Sequence, residues 1–386
     1  MASRLVLRNI GQIVEADLSL GDLTILVGPQ ATGKSIALQF LKLMVDAGHV
    51  QSELSRHGLD WSGELSGFFD IYFGEGMHSI WHDHQSSVEW RNRDMDIQRI
   101  IKRKRRKTEE SLFFVPAQRV LTLRDGWPRP FTDYSAGDPF VVREFSERLR
   151  ILLENEFNAR DRLFPQSNRL KKDLRDMLNQ VVFSDVPLVV DKSRVQKRLV
   201  LNATGNRLPF MVWSAGQREF IPLLLGLYWL MPPSRIATRD KIRWVVLEEL
   251  EMGLHPRAIS TLLMMVFELM KRGYRVCMST HSPQVLEAVW AVQHLKANKA
   301  SPSSLLSIFG APNTAPMKGI AESVMKKNIK VHYFDRSSGT TRDISKLDPD
   351  AEELGKDGWG GLAEFSGRAN EAVARAVANA LRRKRA

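Results

Sequence analysis

The chain has 386 residues and a mass of 43.9 kDa, 43% hydrophobic and 26% charged, a globular composition with enough apolar material for a sizeable core. Its 56 Lys and Arg against 44 Asp and Glu give a formal charge of +12, which points to an anionic partner, nucleic acid ahead of membrane. The single Cys277 excludes an intramolecular disulfide and a cysteine-rich zinc module; no apolar run reaches the roughly 18 residues of a membrane span, and MASRLVLRNIG has no signal-peptide core, so a soluble, cytoplasmic protein without a membrane partner is expected.

Leu5-Val6-Leu7 and Ile13 to Leu20 read as short strands, and Leu23-Thr24-Ile25-Leu26-Val27 as a buried strand of a parallel sheet. A glycine-bearing turn follows, then a helix over Ser35–Ala47 with Ile36, Phe40, Leu41 and Met44 at helical spacing. Residues 48–111 hold scattered aromatics (Trp61, Phe68, Phe69, Tyr72, Phe73, Trp81, Trp90) and close on the basic run Lys102-Arg103-Lys104-Arg105-Arg106-Lys107. Leu112-Phe113-Phe114-Val115 is a buried strand stopped by Pro116, and Phe140 to about Val182 is helical and strongly charged. Strands are expected at Val186–Val190, Arg198–Asn202, Trp244–Leu247 and Arg275–Ser279, and helices at Phe220–Met231, Ala258–Met270 and Arg368–Arg385. The fold class is α/β, and the chain divides into head segments (1–47, 112–140 and 186–340), an insert with the basic run (48–111), a helical lid or arm (141–185) and a helical tail (341–386).

Gly28-Pro29-Gln30-Ala31-Thr32-Gly33-Lys34-Ser35 has the spacing G-x-x-x-x-G-K-S between a buried strand and a helix, the context that makes it a phosphate loop. Its backbone N–H groups wrap a β-phosphate at the positive end of a helix. Lys34 offers a cation to the β- and γ-phosphates and Ser35 a hydroxyl to Mg2+; Ile36 completes the nucleotide-binding set. ATP and Mg2+ are therefore the expected cofactors.

Trp244-Val245-Val246-Leu247-Glu248-Glu249 is a buried strand ending in two acids at the carboxyl edge of the sheet. Glu248 suits Mg2+, and Glu249 suits polarisation of the attacking water as general base. Ser214-Ala215-Gly216-Gln217 precedes an apolar helix, where Ser214 is a natural cap and Gly216 leaves the helix start open to a ligand. His281 follows the strand Arg275–Ser279, placed to reach a γ-phosphate.

In chain order these features, with Leu254-His255-Pro256 and Thr280-His281, resemble the ATP-binding-cassette (ABC) class of ATPases in the branch holding RecF, SMC proteins and OLD-type ATPases. They are most similar to bacterial AAA-type ATPases with ABC topology found in anti-phage systems. That group's Glu-Glu-Pro-Glu-x-x-Leu-His-Pro pattern stands here as Glu248 to Pro256 with Leu250 in place of Pro. The resemblance covers about 1–47 and 112–335. It implies an ABC-type head, a mixed sheet with a P-loop, carrying an inserted helical lid subdomain. It also implies that Phe114-Val115-Pro116-Ala117-Gln118-Arg119 occupies the Q-loop, with Gln118 or Arg119 sensing Mg2+ or γ-phosphate. Ser214, Ala215, Gly216 and Gln217 would act in trans, closing over nucleotide held by a second copy in a homodimer or higher homo-oligomer.

His78, His82, Asp83 and His84 are read as packing residues of an aromatic segment, and Asp348-Pro349-Asp350 as an exposed turn rather than a Toprim nuclease motif. Lys102–Lys107 and Arg382–Arg385 are candidate contacts to nucleic-acid phosphates. The expected function is ATP-gated dimerisation coupled to DNA or to an effector protein, in anti-phage defence or DNA maintenance. The alternative is a slowly cycling scaffold that holds a toxin or nuclease. The long gap from Ser35 to Ser214 argues against a transporter subunit.

Overall fold

The computed structural model describes residues 3–102, 108–157, 162–193, 196–233 and 238–346. In chain order the strands are β1 (Ser3–Ile10), β2 (Ile13–Leu20), β3 (Leu23–Val27), β4 (Ser87–Trp90), β5 (Arg93–Asp94), β6 (Leu112–Val115), β7 (Leu123–Arg124), β8 (Trp127–Pro128), β9 (Arg162–Phe164), β10 (Leu188–Asp191), β11 (Arg198–Ala203), β12 (Asn206–Pro209), β13 (Trp244–Glu248), β14 (Arg275–Thr280), β15 (Ile329–Phe334) and β16 (Thr341–Asp343). The α-helices are α1 (Lys34–Arg56), α2 (Leu65–Tyr72), α3 (Ile97–Lys102), α4 (Phe140–Glu156), α5 (Lys172–Leu178), α6 (Ala215–Leu230), α7 (Pro256–Arg272), α8 (Pro283–Ala297), α9 (Pro302–Ile308) and α10 (Ala315–Val324).

The central sheet has the order β16-β15-β3-β14-β13-β6, parallel throughout except for the antiparallel edge strand β16. Both faces are covered, which is why its strands read as unbroken apolar runs. Ile25, Val27, Val245, Leu247, Phe113 and Val115 join the core shared with α4, α6 and α7. The alternate residues Leu26, Trp244, Val246, Leu112, Phe114 and Cys277 join the opposite core, shared with α1 and with the antiparallel sheet β2-β1-β4-β5. The head is thus a mixed α/β assembly with α1 between two sheets. Residues from Ile36 to Leu54 are buried nearly all round the helix for that reason.

Residues 48–111 do not stand apart from this head. β4 pairs with β1, Val88 opposite Leu7, and the aromatics of α2 pack on α1. The Phe40 and Phe69 rings lie 6.0 Å apart and the Tyr72 hydroxyl donates to Gln39 O at 2.7 Å. Segment 141–185, expected as a helical lid or arm, likewise pairs across its expected bound at 185. β9 pairs with β10, and an antiparallel sheet β12-β11-β10-β9 joins helices α4 and α5. Local pattern did not reveal either pairing because both partners are distant in sequence. No helix among the described residues is long and apolar enough to cross a membrane. Arg103–Lys107, the Asp348-Pro349-Asp350 turn and the expected tail helix at 368–385 lie outside the described residues.

Candidate functional site

Parallel register brings the predicted motifs to one edge. Val27 pairs with Thr280, and Ser279 with Glu248, so β3, β14 and β13 end side by side. The phosphate loop, His281 and the acids of Glu248-Glu249 therefore leave the same carboxyl edge, where ligands of open α/β sheets bind.

Within the loop, Gly33 stands at φ 95° immediately before α1, and a Cβ there would lie 2.5 Å from Ile13 Cγ1, so only glycine fits. The Lys34 ammonium donates to Gly28 O at 2.9 Å and Pro29 O at 2.6 Å, folding the lysine back over its own loop. Burial lowers its pKa to about 8, against the opposing pull of the Glu249 charge. Thr32 Oγ1 donates to Pro29 O at 2.9 Å, and Gln30, Ala31 and Ser35 are the loop's exposed members.

Glu248 is buried, and burial raises its carboxyl pKa. The neighbouring Ser35 hydroxyl and the Ala117 N–H, which donates to Oε2 at 3.1 Å, partly offset that shift. Its other oxygen, Oε1, is buried with no hydrogen-bond partner among the described residues. A buried carboxylate oxygen left over beside a serine hydroxyl is a fitting donor set for a hard divalent cation such as Mg2+. Gln118 is exposed at the start of the 3-10 turn Arg119–Thr122 in the same segment.

Glu249 takes a left-handed backbone conformation (φ 43°), half exposed, and its Oε1 lies 3.3 Å from His281 Nε2. Glu251 Oε1 accepts from Thr280 Oγ1 at 2.8 Å and from the His281 N–H at 2.7 Å, so it fixes the backbone that carries the histidine. His255 caps α7, its Nδ1 accepting from Arg257 N–H at 3.3 Å. Sequence reading gave Glu251 no task; the signal was there in the third acid of Glu248-Glu249-Leu250-Glu251.

Ser214 caps α6 in a reciprocal box. Its hydroxyl accepts from Gln217 N–H at 3.2 Å, while Gln217 Oε1 accepts from Ser214 N–H at 3.1 Å. Ser214 and Ala215 are exposed, next to the exposed side chains of Met211 (72%) and Val212 (62%). Gly216 sits against the turn after β13, where a Cβ would lie 3.1 Å from Gly253 O. Arg119 is fully buried, its guanidinium bonded to the backbone carbonyls of Glu219, Glu248 and Glu249. The histidines of the aromatic segment do not pack as expected: His78, His82, Asp83 and His84 are all exposed, and His78 pairs with Asp70 at 2.9 Å.

The family model described as "AAA domain, putative AbiEii toxin, Type IV TA system" matches residues 23–287. No curated protein matches the chain in sequence. Among solved structures, an SMC head bound to the C-winged-helix domain of ScpA aligns with a TM-score of 0.40 and 9% identity, covering 88% of this chain and 95% of that one. An SMC head domain from Thermotoga maritima gives 0.31 and 10%, covering 74% and 92%. A bacterial ABC transporter cassette in a dimeric structure gives 0.31 and 10%, covering 72% and 88%. Because that family model spans well over half of the chain, from the strand before the phosphate loop to the helix after His281, the chain belongs to this AAA-domain family of ATPases.

Proposed function

We propose that this protein binds Mg2+–ATP in the Gly28–Ile36 loop, hydrolyses it to ADP and phosphate, and uses the bound nucleotide to hold two copies together. The observation that carries the reading is the meeting of Lys34, the partnerless Glu248 Oε1 and the Glu249–His281 pair on one sheet edge. Ser35 and Glu248, with Gln118 beside them, would hold Mg2+, which when bound neutralises charge on the β- and γ-phosphates. Lys34 leaves its loop carbonyls for the phosphate oxygens. Glu249 accepts a proton from the attacking water, and His281 holds the carboxylate in place and faces the γ-phosphate. The exposed cap Ser214–Gln217, flanked by Met211 and Val212, supplies a surface for a second copy, whose nucleotide it would close over. Closure is coupled to DNA or to an effector protein encoded elsewhere, in a defence or DNA-maintenance role; the net charge of +12 favours the nucleic-acid arm.

The test is Glu249→Gln, with ATP binding, phosphate release and mass in solution measured together. Binding should persist, hydrolysis should fall at least about 100-fold, and an ATP-dependent dimer should accumulate. Unchanged phosphate release removes Glu249 from its role, and trapping by Glu248→Gln instead reverses the two acids. Stimulation of wild-type turnover by DNA supports the nucleic-acid arm; a stable co-purifying protein with slow, DNA-insensitive turnover supports the scaffold.

A further inference from the structure

Arg119 is a cation with no exposed surface, among the largest side chains so buried. Its guanidinium is spent on backbone. Nε donates to Glu219 O, Nη1 to Glu248 O and Nη2 to Glu249 O, each at 3.1 Å. Nη2 also lies 3.3 Å from Glu219 Oε2. These acceptors belong to two different machines. Glu219 opens the second turn of α6, just after the Ser214–Gln217 cap, whereas Glu248 ends β13 and Glu249 follows it.

The geometry at the second end is strained. Glu249 is a non-glycine residue at φ 43°, a left-handed conformation that is unfavourable for a side-chain-bearing residue and persists only where surroundings enforce it. Its N–H is held by Ser279 O at 3.1 Å and its carbonyl by both Met252 N–H at 3.0 Å and Arg119. The left-handed turn sets the direction of the carboxylate that meets His281. The first end is also in contact with this turn: Gly216 abuts Gly253 O, and a Cβ on Gly253 would lie 3.1 Å from Glu219 Cγ.

We infer that Arg119 is a positioning residue that ties the N-terminal part of the Ser214-capped helix to the peptide carrying Glu249, so that docking of a partner on that helix sets the aim of the hydrolytic acid. This rests on the ATPase reading above. A rigid fork with five donors suits the task, because it reaches carbonyls on two segments at fixed angles; a lysine ammonium in the same pocket is a point donor and holds one end or the other.

The experiment compares wild type with Arg119→Lys, which keeps the charge among Glu219, Glu248, Glu249 and Glu251 and loses the fork. Without nucleotide, amide hydrogen exchange should quicken together in residues 215–219 and 249–254, with other segments unchanged. With ATP, kcat should fall at least tenfold while Kd for ATP stays within about threefold and the melting temperature changes little. If Arg119→Lys does not fold, Arg119→Gln is read in the same way, and failure of both to fold overturns the positioning role in favour of a purely structural one. Exchange confined to one segment, kcat within twofold of wild type, or a parallel loss of Kd, kcat and melting temperature also overturns it. A wild-type protein that neither binds nor hydrolyses ATP defeats the ATPase reading, while the nucleotide-free exchange still decides whether Arg119 joins the two segments.

Discussion

Lys34 is held by the carbonyls of Gly28 and Pro29 and buried, with its pKa lowered to about 8. Phosphate oxygens favour the charged ammonium, so ATP binding raises this pKa and takes up a proton wherever the free lysine has lost one. The sign follows: affinity is full below pH 8 and declines as pH rises past it. Calorimetric titration from pH 7 to pH 9.5 should show Kd for ATP rising by up to about tenfold per pH unit above 8, together with proton uptake. A flat profile would contradict the placement of Lys34 against the phosphates, and Lys34→Ala should abolish binding across the whole range.

At the scale of elements, α1 carries Lys42, Asp46 and His49 into the interior between its two sheets. Lys42 Nζ lies 3.0 Å from Asp46, 3.3 Å from Glu110 and 3.0 Å from Glu144, and donates to Leu112 O at 2.6 Å. Asp46, at a kink in α1, accepts from the N–H groups of Ser111 and Leu112 and so starts β6. The His49, Glu110 and Glu144 ligand atoms lie within 4.8 Å of one another, but the Lys42 ammonium already stands with them, so the cluster is an internal ion network and not a metal site. It fastens α1 to β6 and, through Glu144 and Arg148, to α4. Lys42→Met should cost about 3–5 kcal/mol in urea unfolding, because it strands buried carboxylates.

The same network makes stability depend on pH. His49 Nε2 lies 2.6 Å from Glu144 Oε1 and Nδ1 lies 3.3 Å from Thr108 O, two acceptors that suit an imidazolium. Burial opposes the charge, but Glu144, helped by Glu110, outweighs burial and the repulsion of Lys42, so the His49 pKa is raised. Arg148 Nη2, 3.0 Å from Nε2, faces the same ring. A raised folded pKa means the contribution is complete below the unfolded value of about 6.5 and is lost as pH rises through the folded value. Chemical unfolding at a series of pH values should show that loss in wild type and not in His49→Gln.

For the whole molecule, the exposed cap of α6 and the phosphate loop are two halves of one site if the proposed closure is correct. Lys34→Ala and Ser214→Arg would each disable both sites of their own homodimer. In a mixed dimer both lesions fall on one site, leaving the other intact. Subunit exchange between the two inactive proteins should therefore restore part of the phosphate release. No recovery, with exchange verified, would place Ser214 in its own subunit's site or require both nucleotides before either is cleaved.

The sequence determined what depends on short spacing: the phosphate loop between β3 and α1, the acids ending β13, the serine cap of α6 and the histidine after β14. Each is a few contiguous residues whose backbone demands, a left-handed Gly33 or an N-cap at Ser214, are local. The apolar runs Leu23–Val27 and Leu112–Val115 also stood out, since strands covered on both faces lose their alternation. Tertiary structure alone decided the rest. β4 joins β1 across some eighty residues, and β9 joins β10 across the lid, because edge strands need a partner that local pattern does not name. Lys42, Asp46 and His49 had no task in the sequence, where the helix was expected to end at Ala47, because their partners Glu110, Glu144 and Arg148 come from other segments. Arg119 shows the difference most directly: beside Gln118 in a loop it reads as a sensor, and the fold buries it. A buried guanidinium must find acceptors, and those it finds are the carbonyls of Glu219, Glu248 and Glu249.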